Sequence, residues 1–168
     1  AIKNLLLWDI KRFFPEEYEV GVNALKMVQK RVGMELSTDE AGFIALHLVN
    51  AEMEEEVGNI YELTKLMQEI TNIVKYYFKV SFDEDSVYFY RFSTHLKFFC
   101  YRLLHQREVV ENDDEELYAV IKKKYLNAYR CVEKISLYLN ENYDYQVSNE
   151  ERLYLTIHIA RIVQTTEQ

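Results

Sequence analysis

Residues 36–50 read LSTDEAGFIALHLVN, and residues 147–161 read VSNEERLYLTIHIAR. Set one beneath the other, they agree at a constant offset of 111 positions: Ser148 falls under Ser37, Glu151 under Glu40 and His158 under His47, with apolar matches at Phe43/Tyr154, Ile44/Leu155, Leu46/Ile157 and Leu48/Ile159. In each stretch a serine is followed three residues later by a glutamate, the pattern in which a short side chain takes an orphan N–H and the carboxylate reaches back. Both stretches therefore read as helix starts. Upstream, EEYEVGVNA resembles KKYLNAYRC if the second copy carries a loop four residues longer at NENYDYQ. The chain then holds the last three helices of one unit followed by all five of a second.

Other starts and stops complete this pattern. Further capping boxes are read at Asn59 with Glu62 and at Asp113 with Glu116, and breaks fall at Pro15, Gly33 and the acidic cluster Asp83 to Asp85. Eight helices are predicted, roughly 3–14, 17–32, 38–55, 60–80, 86–105, 114–124, 126–142 and 149–165. Leu63, Leu66, Met67, Ile70, Ile73, Val74, Tyr77 and Phe78 recur at the spacing of one helix face, which needs a partner to cover it. Val57, Gly58 and Asn59 are the one convincing linker, so the expected division is 1–56, a linker at 57–60, and 61–168.

Composition agrees with an all-α protein. Apolar residues make up 49% of the 168, enough for a packed core, while Gly and Pro together supply five. Twenty-eight acidic against 20 basic side chains give a net charge of −8, and the single basic cluster is Lys122 to Lys124. Such a chain repels a polyanion, so direct nucleic-acid binding is not expected. Cys100 and Cys131 lack CxxC spacing and read as reduced thiols of a cytoplasmic protein. With no apolar run near 18 residues and no signal peptide, membrane insertion is not expected. GxGxxG, GxxxxGK[ST], GxSxG and HExxH are all missing from the sequence, so no cofactor, metal or catalytic residue is assigned and an enzyme is not expected. The opening AIKNLLLW, without an initiator Met, suggests a piece of something longer.

The four histidines carry what chemistry there is. His47 and His158 recur at equivalent places in helices that are apolar nearly all round, where an imidazole costs desolvation free energy unless it has a partner or a purpose. Three residues on, on the same face, stand Asn50 and Arg161; Arg161 is suited to hold a phosphoryl group, although both also suit a helix emerging into water. Glu40 and Glu151 share a face with these histidines about 10 Å away along the axis, but each already has a capping role. His95 lies among Phe92, Leu96, Phe98 and Phe99, which invites explanation. His105, near a helix end, suits the dipole there and needs none.

Taken together, DEAGFIALHLVNAE, YRFSTHLKFFCYRLL and EERLYLTIHIARIV resemble the PTS regulation domains (PRDs) of the BglG/LicT family of bacterial transcriptional antiterminators, and the likeness runs the length of the chain. The resemblance implies a five-helix PRD bundle preceded by the last three helices of an incomplete first PRD. It implies that His47 is a phosphorylation site of the first PRD and that His95 and His158 are those of the second; His105 matches nothing. It further implies a homodimer, the phosphocarrier HPr as activating donor, a sugar-specific permease of the phosphotransferase system as inhibiting donor, and RNA contact only through an N-terminal domain outside this sequence. The rival expectation is an inert helical dimerisation module whose histidines are core residues; replacing His95 and His158 by Asp separates the two.

Overall fold

The structure is a computed structural model, and it describes residues 9–53, 57–105 and 115–166. Among them all regular structure is helical, as expected: α1 is described over residues 9–13, followed by α2 (Pro15–Val32), α3 (Thr38–Met53), α4 (Val57–Phe78), α5 (Val87–Leu104), α6 (Glu115–Lys124), α7 (Leu126–Tyr143) and α8 (Asn149–Thr166). The chain forms two compact units, Ala1–Leu66 and Met67–Gln168, the division falling within the span of α4.

In the first unit Phe14 leaves helical geometry at φ −128° and Pro15 starts α2, where its missing N–H is no loss. Acidic Glu16 and Glu17 open α2, basic Lys30 and Arg31 close it, and Gly33 ends it at φ 69°. Helices α2 and α3 pack together, and they touch at Gly21. A Cβ there would run into the carbonyl oxygen of Ala41 on α3, so only glycine permits the approach. Ile10, Phe13, Phe14, Leu25, Ala45, Leu46 and Val49 are buried. Ser37 accepts a hydrogen bond from the N–H of Asp39 (3.1 Å), while Glu40 is exposed, so the box expected here is only half formed.

Helix α4 runs through the residues read as a linker. Val57 to Asn59 form its first turn, so Asn59 lies within the helix rather than capping it. A glycine costs a helix about 1 kcal/mol, which the long apolar face of α4 outweighs. That face is where the recurrence placed it: Leu63, Leu66, Met67, Ile70 and Val74 are buried. The box expected at Asp113 lies outside the described residues.

In the second unit α8 packs against α5, α6 and α7. Its core is made by Phe89, Phe92, Leu96 and Phe99 of α5, Val132, Ile135 and Leu139 of α7, and Leu155, Ile159, Ile162 and Val163 of α8. Ser86 caps α5 by accepting from the N–H of Phe89 (3.1 Å). At the start of α8 the capping box is complete: the N–H of Glu151 donates to Ser148 Oγ and the N–H of Ser148 donates to Glu151 Oε1, both at 3.1 Å. Burial pushes the thiols of Cys100 and Cys131 up, the latter to about 12, so both stay protonated.

Candidate functional site

Helices α5 and α8 bring two of the four histidines into contact. The rings of His95 and His158 stack with centroids 3.8 Å apart and planes 23° from parallel. Tyr154, one turn before His158 on α8, stands edge-on to both, at 5.4 Å from His95 and 4.4 Å from His158. Its hydroxyl is hydrogen-bonded to Nδ1 of His95 at 2.5 Å. The two imidazoles line a cleft of about 300 Å³ with Tyr88, Arg91, Phe92, Arg161, Ile162, Gln164 and Thr165. Its walls thus hold two guanidinium groups beside two imidazoles.

Burial, the neighbouring His95 ring and then the Arg161 cation hold His158 near pKa 4, well below the ordinary imidazole range. Burial, followed by the Arg161 cation, lowers His95 as well. Two stacked rings beside a guanidinium are a poor place for further positive charge. At neutral pH both are therefore uncharged, and each presents one nitrogen lone pair. An uncharged imidazole next to fixed cations is suited to attack an anionic electrophile and to keep the anion once attached.

The other residues singled out in the sequence fare differently. His47 is exposed on α3 rather than enclosed by apolar neighbours. A helix apolar on most positions still turns one line of side chains outward, and position 47 lies on it. Asn50 is helical, but its side chain lies outside the described residues. Arg161 is exposed and lines the cleft. Nδ1–H of His105 donates to the carbonyl of Tyr101 at 2.8 Å, a local end-of-helix role. Glu151 is buried at 3% exposure and its carboxylate accepts from the Tyr145 hydroxyl at 2.8 and 2.9 Å, so it is committed to the fold and not to His158.

Neither Tyr154, which bonds His95, nor Arg91, which lines the cleft, is singled out in the sequence reading. Each precedes a histidine by four positions and so shares its face, a spacing present in the sequence. The counterpart of Tyr154 in the repeat is Phe43, so the position reads as apolar.

Comparison with known proteins bears on the whole chain. The PRD domain model matches residues 1–51 and 68–162. The chain belongs to the PRD domain family. This PRD chain is 51% identical over 162 residues to the transcription antiterminator LicT of Bacillus subtilis (strain 168), covering 96% of the chain and 58% of that protein. It is 45% identical over 161 residues to the beta-glucoside operon antiterminator of Dickeya chrysanthemi, covering 96% of the chain and 56% of that protein. A more distant relative is the PtsGHI operon antiterminator of Bacillus subtilis (strain 168), 26% identical over 161 residues. The PRD chain spans less than three-fifths of the length of these relatives. All three relatives bear the name antiterminator. No described helix is long and apolar enough to cross a membrane.

Proposed function

We propose that this PRD chain is the phosphate-responsive part of a bacterial transcriptional antiterminator. Residues 1–56 are the C-terminal part of a first PRD and residues 61–168 a second, joined through the first turn of α4. His95 and His158 accept phosphoryl groups from HPr, which activates. His47 accepts one from a sugar-specific permease of the phosphotransferase system, which inhibits. The chain acts in the cytoplasm as a homodimer and reaches RNA through a domain outside these residues.

The observation that carries this reading is the stacked, uncharged imidazole pair opening on a cleft that also holds Arg91 and Arg161. Phosphorylation replaces a neutral ring by roughly −1.5 to −2 charges, as it does for other phosphorylated side chains. Among packed helices such a charge either recruits cations or forces the packing to change, and packing with two arrangements is a switch. Arg161, in the cleft, is the candidate cation, and the sequence puts Asn50 at the corresponding position three residues after His47. Exposed Val87, Tyr88 and Phe98 on α5 supply apolar surface for a second copy.

The reading is tested by incubating the chain with HPr, enzyme I and phosphoenolpyruvate. Acid-labile phosphate is expected on His95 and His158. An unlabelled chain beside fully phosphorylated HPr contradicts it, as does label that survives replacement of both residues.

A further inference from the structure

We infer that Tyr154 is a positioning residue that reserves Nδ1 of His95 and so directs an incoming phosphoryl group to Nε2. The inference rests on His95 being a phosphoacceptor, as proposed above, and it goes further by naming the atom. Nδ1 is engaged by the Tyr154 hydroxyl at 2.5 Å. One face of the ring is covered by His158 at 3.8 Å, and the edge of Tyr154 meets it at 80°. The ring is thus held on a face and at one nitrogen, and the nitrogen left for a donor is Nε2.

A neutral imidazole has one N–H and one lone pair, so the bond at one nitrogen decides what the other can do. With Nδ1–H donating to Tyr154 Oη, the lone pair lies on Nε2. That lone pair attacks the phosphorus of a phosphohistidine on the carrier. A new N–P bond forms, the donor's N–P bond breaks, and its electron pair returns to the donor nitrogen. The Nδ1 proton leaves to solvent while the donor nitrogen gains one, so there is no net change in protons. Nδ1 then carries a lone pair, to which the Tyr154 hydroxyl turns and donates. A hydroxyl serves both states because it accepts and donates, and burial raises the Tyr154 pKa so that it remains a hydroxyl. Phe43, at the equivalent place relative to His47, has no hydroxyl and gives that histidine no such direction.

Potassium phosphoramidate, a small donor that needs no protein recognition, tests the geometry apart from the partner. The intact chain and its Tyr154→Phe variant are labelled with it and with phospho-HPr in parallel. The isomer at His95 is then read by 31P NMR and isomer-selective antibodies, with thermal melts confirming that the variant folds. The wild type is expected to give the Nε2 isomer. Tyr154→Phe is expected to give both isomers and to label Nε2 roughly 2- to 10-fold more slowly, the factor one hydrogen bond of ordinary net strength is worth. A substantial Nδ1 isomer in the wild type overturns the inference, and so does an unchanged isomer ratio in the variant or failure of His95 to label with phosphoramidate. If the variant does not fold, the wild-type isomer alone decides. Nε2 labelling by phosphoramidate with none from phospho-HPr leaves the positioning role standing and removes the phosphocarrier as donor.

Discussion

His158 shows how little a residue's type says about its state until its neighbours are known. Burial, the stacked His95 ring and Arg161 together keep it neutral to about pH 4, whereas an unfolded chain protonates it near the ordinary value of about 6.5. Between those values the unfolded state binds more protons than the folded one, so stability rises with pH through that window and falls on acidification. His95, also lowered, adds in the same sense. Thermal melts from pH 7 to pH 4 are expected to show this slope, and His158→Gln to remove part of it; an unchanged slope in the variant places the protons elsewhere. His47→Gln, at an exposed position, is expected to change stability by less than about 0.5 kcal/mol in chemical denaturation. That His95 and His158 call for an explanation is legible, because imidazoles in apolar helices demand a reason. Their stacking was not, since periodicity within a helix says nothing of which faces of two helices meet. The exposure of His47 was hidden for the same reason.

At the level of the elements, one sequence pattern yields two different structures. Ser37-x-x-Glu40 and Ser148-x-x-Glu151 look alike, yet only the second closes in both directions. The difference comes from outside the motif: the longer loop before α8 supplies Tyr145, whose hydroxyl meets the buried Glu151 carboxylate. Glu151→Ala, which orphans that hydroxyl and the Ser148 N–H, is expected to cost about 1–3 kcal/mol, against less than about 0.5 kcal/mol for Glu40→Ala, both read from urea unfolding. Gly21→Ala is expected to destabilise the first unit by about 1–3 kcal/mol despite alanine's better helix propensity, because the atom it meets on Ala41 is backbone and has little room to yield. Limited proteolysis showing earlier cleavage within residues 9–53 checks this; an unchanged pattern shows that α2 and α3 separate easily. The helix spans were legible nearly to the residue wherever Pro15, Gly33 or Ser148 marked an end. They failed at Val57 to Asn59, where turn-forming residue types were outweighed by the apolar seam that follows.

For the whole molecule, the repeat at 111 positions reads as one complete unit and part of another; the PRD match covers residues 1–51 and 68–162. The surface a partner uses was not legible, because exposed apolar residues in a single chain do not record what covers them. A switch and a scaffold diverge here. If charge on α5 and α8 reorganises subunit contacts, the variant with His95→Asp and His158→Asp is expected to sediment with altered self-association while keeping its helical content. Loss of stability with unaltered self-association favours the scaffold.

The claim beneath all of this is that His95 and His158 form an uncharged, stacked pair. It is measured most directly by 15N NMR titration of the histidines in the intact chain, assigned by single substitutions. Midpoints below about 6.5 are predicted for both rings, with His158 near 4. A midpoint at or above the ordinary value for either ring contradicts the pairing.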